Sequence, residues 1–147
     1  MKKFAYTMPS RATEKPKADI SIITDYDQRY LGIISKIFKN GMTAGDLNDV
    51  LYAGGNIAAY WHKGRLVGAI VWTWCNEAGG QILYIGFKKR QQGKGFGKLL
   101  LDYAVYKTTA KEGYKGNLSL WAEIGDEYAN AANFFEKYRL DIGEPVC

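Results

Sequence analysis

Apolar residues along this chain alternate in some stretches and recur at helical spacing in others, and turn-forming residues separate the two kinds. Ala18-Asp19-Ile20-Ser21-Ile22-Ile23-Thr24 alternates and predicts a strand. From Asp25, read as an N-cap, Leu31, Ile34 and Phe38 recur at helical spacing, with Tyr30, Ile33 and Ile37 beside them. Asn40-Gly41 closes that helix. Thr43 is set to cap a second helix, with Asp46 at the capping-box position and Leu47, Val50 and Leu51 on the buried face, and Gly54-Gly55 ends it.

Two strands follow around a His62-Lys63-Gly64-Arg65 turn, running from Asn56 to Trp72. Gln81-Ile82-Leu83-Tyr84-Ile85-Gly86-Phe87 is a further strand, and Gly86 inside it predicts a bulge or a close approach. Lys98 to Lys111 places Leu101, Ala104, Val105 and Thr108 at helical spacing. Glu112-Gly113-Tyr114-Lys115-Gly116 turns the chain into the strand Asn117 to Ile124. A last helix carries Tyr128, Ala131, Phe134, Phe135 and Tyr138 on one face, and Asp141 to Cys147 has room for one more strand. Residues 1–17 show no period and are read as a basic arm, leaving residues 18–147 as a single domain.

A chain of 147 residues with 47% apolar content suits one domain with one core. No apolar run reaches the length of a membrane span, and Phe4-Ala5-Tyr6 is too brief for a secretory signal. Cys75 and Cys147 read as free thiols in a reducing compartment, so a cytoplasmic location is expected. One histidine and two distant cysteines cannot build a metal site. His62 reads as a surface histidine in a hairpin turn, and Trp72, Trp74 and Trp121 as strand residues of the core or of a groove.

The net charge of +5 is unevenly spread. Lys2, Lys3, Arg11, Lys15 and Lys17 load the arm, against Glu14 alone. Lys88, Lys89, Arg90, Lys94 and Lys98 load one segment that has no carboxylate, and the remainder of the chain is net acidic. That remainder suits a cationic ligand better than a nucleic acid.

The basic segment contains Gln92-Gly93-Lys94-Gly95-Phe96-Gly97, between a strand and a helix start. Amide groups at a helix start lack intrahelical partners, and the helix dipole favours an anion there. A Walker loop is excluded because Leu99 follows Gly97-Lys98 where a serine or threonine would bind magnesium. The dinucleotide pattern fails on the spacing of Gly93, Gly95 and Gly97.

The hexapeptide matches Q/R-x-x-G-x-G/A and resembles the acyl-CoA loop of the GNAT superfamily of N-acetyltransferases. Leu66-Val67-Gly68 after the polar turn, and Ala131-Ala132-Asn133-Phe134-Phe135-Glu136-Lys137 downstream, resemble that family's third strand and last helix. The likeness runs from Asp19 to Leu140. It implies an α/β (α+β) GNAT fold: a central mixed, mostly antiparallel sheet of about six strands, flanked by four helices, with splayed fourth and fifth strands. The C-terminal hairpin is shortened.

The resemblance implies direct acetyl transfer from acetyl-CoA, as co-substrate, to a primary amine of a small molecule or protein, with no metal. It places Ile85, Phe87, Gln92, Gly93, Lys94, Gly95, Phe96, Gly97, Lys98, Asn130, Asn133 and Phe135 on the coenzyme. Two departures stand out. Gln81 occupies the position nearest the family's usual glutamate base, which leaves Glu123 first, then Glu77, Asp126 or Glu127. Phe135 aligns with the usual tyrosine acid, which leaves Tyr138, or Tyr128.

The short carboxyl-terminus implies an open acceptor groove or a homodimer that supplies a strand at that edge. Two other functions remain open. One is a degenerate GNAT domain that binds acyl-CoA or a protein without catalysis. The other is a nucleic-acid-directed acyltransferase or binder that uses the arm.

Overall fold

A computed structural model describes residues 2–8, 15–76, 79–109, 118–124 and 141–142. The strands are β1 (Lys2–Met8), β2 (Ile20–Ile22), β3 (Asn56–His62), β4 (Arg65–Asn76), β5 (Gly79–Phe87), β6 (Leu118–Ile124) and β7 (Asp141–Ile142). The helices are α1 (Leu31–Ile37), α2 (Ala44–Tyr52) and α3 (Phe96–Thr109), with 3-10 turns at Asp25–Tyr30 and Lys89–Gln91. The chain divides into two compact units: Lys15–Thr73 with Leu83–Ala104, and Met1–Glu14 with Trp74–Ile82 and Val105–Cys147.

In the Lys15–Thr73 and Leu83–Ala104 unit the strands lie in the order β2-β3-β4-β5. β2 pairs antiparallel with β3, from Ile20 opposite Tyr60 to Ile22 opposite Ala58. β3 and β4 form the expected hairpin. Lys63 and Gly64 take φ of 52° and 77°, the left-handed pair that a two-residue hairpin turn requires. The register slips next to the turn. Tyr60 faces Gly68 but Trp61 faces Leu66, so Val67 is the extra residue of a bulge. The Val67 carbonyl accepts the Lys88 N–H at 2.8 Å, which sets the end of β5 beside the start of β4.

The first helix starts later than the sequence suggests. Asp27, not Asp25, organises its entry: the Asp27 carboxylate accepts from the Thr24 N–H at 3.0 Å and from the Thr24 hydroxyl at 2.9 Å. Asp27 itself departs from helical geometry (φ −105°, ψ 28°), so regular α-helix begins only at Leu31. Its end is a Schellman motif. The Asn40 N–H donates to Ser35 O at 2.9 Å and the Lys39 N–H to Lys36 O at 3.0 Å, with Lys39 and Asn40 left-handed. α2 carries the expected capping box between Thr43 and Asp46.

Leu31, Ile34 and Phe38 of the first helical segment and Leu47 of α2 bury against Ile57, Ala59, Ala69 and Val71. Each such large side chain, fully enclosed, contributes about 1.5–3 kcal/mol. Val50 and Leu51 are only half-buried at the edge of this core. Gly86 meets its expectation as a close approach: a β-carbon there would stand 3.0 Å from the Phe38 ring.

In the other unit the order is β5-β6-β1-β7. Gly79, Gly80 and Gln81 pair parallel with Ser119, Leu120 and Trp121. β1 then lies antiparallel along β6 from Lys2 opposite Ile124 to Met8 opposite Leu118. β7 pairs outside it, with Phe4 opposite Ile142 and Ala5 opposite Asp141. Part of the segment expected as an irregular arm is therefore a strand, and the described residues hold seven strands in all. The physical reason is an open strand edge: β6 offers a row of backbone donors and acceptors, and Phe4-Ala5-Tyr6-Thr7-Met8 is a short β-forming run able to satisfy them. The edge of β6 is thus covered by this chain's own amino-terminal strand. Ile82, Val105 and Thr108 are buried in this unit. The expected last helix lies outside the described residues.

Candidate functional site

The glycine segment is a left-handed bridge between β5 and α3. β5 ends at Phe87, a single 3-10 turn spans Lys89–Gln91, and Gly93 and Gly95 take φ of 78° and 81°. Residues with a β-carbon adopt that conformation only at a cost of about 1–2 kcal/mol, which explains glycine at both positions. The Gln92 side-chain amide donates to Phe87 O at 3.1 Å and ties the segment back onto the strand. The Lys94 ammonium donates to Gln91 Oε1 at 3.3 Å, within the same bend.

α3 begins at Phe96. Among the described residues, none accepts a hydrogen bond from the amides of Gly95, Phe96 or Gly97. They are the donors that a helix start leaves open, and the positive end of the dipole lies with them. Lys88, Lys89, Arg90 and Lys94 are exposed around the bend. A doubly charged phosphate group is the ligand class this donor set fits.

Lys98 lies in the first turn of α3, where its ammonium donates to the Asp102 carboxylate one turn along the helix at 2.7 Å. Helical spacing of four made that pair readable in the sequence, where it was missed.

The start of α3 is anchored by aromatic rings. Phe96 stacks on Tyr60 at 4.6 Å between centroids, with Phe87 6.1 Å and His62 5.5 Å away. Tyr60 also meets Phe87 edge-on at 5.6 Å. Phe87 and Phe96, expected on the coenzyme, are thus packed against each other and half-buried. His62 ends β3 beside the hairpin turn and is half-buried against Phe96. Burial, with a smaller push from the charge of Asp19, raises the pKa of the Tyr60 hydroxyl. The alternation of Tyr60 and His62 on one strand face was the available sequence signal for this cluster.

Gly68 belongs to the same cluster, because the Phe87 ring lies where its β-carbon would be. Ile85 is half-buried in β5. At the end of α1, Tyr84 of β5 donates through its hydroxyl to Phe38 O at 3.2 Å and its ring lies 4.3 Å from the Phe38 ring.

Gln81 lies in the short parallel ladder, opposite Trp121. Glu123 is placed by its backbone only, on β6 opposite Lys3. Tyr138, Tyr128, Asn130, Asn133, Phe135, Glu77, Asp126 and Glu127 lie outside the described residues. The structure therefore brings together the residues expected between Ile85 and Lys98. Among the described residues no cluster of histidine, cysteine, aspartate and glutamate is arranged to hold a metal ion, and no helix is long and apolar enough to cross a membrane.

A family model for the acetyltransferase (GNAT) family matches residues 17–139. Among solved structures, a ribosomal-protein-alanine N-acetyltransferase from Brucella melitensis biovar Abortus 2308 superposes with a TM-score of 0.69 at 16% identity, covering 88% of this chain and 96% of that one. An aminoglycoside acetyltransferase from an uncultured soil metagenomic sample, solved with sisomicin, gives 0.66 at 13% identity over 88% and 91%. Ard1 from Thermoplasma volcanium gives 0.63 at 20% identity over 81% and 80%. At these identities the likeness is one of fold. No curated protein matches the chain.

Proposed function

Because this chain belongs to the GNAT family of acetyltransferases, we propose that it transfers an acetyl group from acetyl-CoA directly to a primary amine. The observation that carries this reading is the start of α3: left-handed Gly93 and Gly95 lead into amides that none of the described residues accepts from, and Lys88, Lys89 and Arg90 are exposed in the same bend. That point suits the pyrophosphate of the coenzyme. The strand residues Ile85 and Phe87 then flank the pantetheine arm, and an N–H of that strand polarises the thioester carbonyl. Asn130, Asn133 and Phe135 complete the coenzyme contacts.

An alkylammonium with a pKa of ~10.4 is almost wholly charged at neutral pH, and its deprotonation there costs roughly 4–5 kcal/mol. Glu123 on β6 takes that proton, directly or through water. The amine nitrogen attacks the carbonyl carbon, the C–N bond forms, the nitrogen releases its second surplus proton to solvent, and the C–S bond breaks. Tyr138 protonates the departing thiolate. The acceptors named for two of the fold neighbours are the alanine of a ribosomal protein and aminoglycosides. The acceptor class proposed here is correspondingly a primary amine, free or on a macromolecule. Two distant cysteines favour a reducing, cytoplasmic setting.

Release of free thiol from acetyl-CoA at pH 8, followed over a panel of amines and peptide amino-termini, tests the reading. Turnover with at least one acceptor is expected, and Glu123→Gln is expected to lower it by about 10²–10⁴-fold with coenzyme affinity unchanged. Normal acetyl-CoA binding without thiol release from any acceptor would mark a binding domain in place of an enzyme.

A further inference from the structure

The β3–β4 hairpin brings a second set of cations to the start of α3. His62 and Arg65 stand directly opposite each other across the ladder. Residues so paired project from the same face of the sheet. The His62 ring lies 5.5 Å from Phe96, the first residue of α3. Arg65 is therefore on the face that carries the helix start, and Lys63 leads the turn beside it.

Lys63 and Arg65 are exposed, and among the described residues neither has an ion-pair partner. The same is true of Lys88, Lys89 and Arg90. Lys98, by contrast, is paired with Asp102, and Asp19 acts on Tyr60 in the ring cluster. Like charges gathered without counter-charges repel, and a bound anion relieves them.

A pyrophosphate at the open amides of α3 leaves the hairpin cations unused. CoA carries one further anionic group close by: a phosphomonoester on the ribose that bears the pyrophosphate. Resting on the coenzyme reading above, we propose that Arg65, with Lys63, forms a second anion site that takes the 3′-phosphate of CoA. An arginine fork matches a phosphate through two parallel hydrogen bonds, and a lysine adds a point charge. The hairpin then reads the nucleotide end of the donor, and acyl carriers without a 3′-phosphate are disfavoured.

Calorimetric titration with CoA and with 3′-dephospho-CoA provides the test. The wild type is expected to bind CoA at least about tenfold more tightly, and Lys63→Ala/Arg65→Ala is expected to bring the two affinities together. Lys36→Ala removes a like charge from α1, away from the hairpin, and is expected to keep the wild-type ratio. Equal wild-type affinities, a ratio that survives loss of the hairpin cations, or a ratio lost equally in Lys36→Ala would overturn the proposal while leaving the coenzyme reading intact. Failure of the wild type to bind either ligand would remove both.

Discussion

The ring of Phe87, at the end of β5, occupies the space that a β-carbon on Gly68 of β4 would need. The same ring meets Tyr60 edge-on and lies near Phe96, so a shift of it disturbs both contacts. Gly68→Ala is therefore expected to lower stability by about 1–3 kcal/mol, the usual cost of overpacking. It should also weaken coenzyme binding by moving the base of the glycine bend. Gly32→Ala is the contrast: nothing stands within 4 Å of a β-carbon there, and the residue is helical. That change is expected to stabilise by about 0.5–1 kcal/mol. Urea denaturation of both variants measures the difference.

Gly95 isolates backbone conformation from space. Its φ is 81°, yet no atom lies within 4 Å of a built β-carbon. Gly95→Val then costs about 1–2 kcal/mol through the left-handed backbone alone, or turns the amides of the α3 start away. Its affinity for CoA is expected to fall about tenfold or more, whereas Gly95→Asn, which tolerates that conformation, should stay close to wild type. Titration calorimetry on the two variants decides the matter.

Asp27 predicts a pH dependence. Hydrogen bonds from the Thr24 N–H and then the Thr24 hydroxyl hold its pKa below the ordinary 3.8. Folding thus favours the carboxylate, and the contribution is complete above that ordinary value. It is lost as the pH falls through the lowered value in the native state. Asp27→Asn is expected to be less stable than wild type at pH 7, with the gap closing in acid. Denaturation midpoints measured across that range check it; a gap independent of pH would mean that the charge contributes nothing.

Removal of residues 1–8 takes away β1 and bares the edge of β6. The expected outcome is a lower melting temperature and concentration-dependent association, because an open edge pairs with other chains. If the basic segment instead served a nucleic acid, the intact protein would give a salt-sensitive mobility shift that the deletion abolishes. No shift is expected, since Phe4 to Met8 have a structural role in the sheet.

What could be read in the residue order was local. The capping box of Thr43 and Asp46 closes over one turn, the Lys63-Gly64 bend over two residues, and the glycine segment over six positions from Gln92. In each, the chemistry that sets the conformation lies within hydrogen-bond reach along the chain, so residue type and spacing decide it. The same holds for the apolar faces of Leu31, Ile34 and Phe38 and of Leu101, Ala104 and Val105, which a helical period reveals. Thr24 and Asp27 were equally local but lost to Asp25, because any of these residue types can begin a helix and only the backbone path selects among them.

Tertiary structure alone decided the rest. Packing of His62 and Tyr60 onto Phe96, the ring of Phe87 over Gly68, and the pairing of Lys2–Met8 with β6 all join residues remote in the chain. Such contacts depend on which strand edges stay open and which ring fills a gap after the sheet has formed. No spacing rule carries that information. The amide-rich mouth of α3 was thus written in the glycines, while the cation-bearing hairpin beside it exists only because the sheet folds Arg65 to the same face.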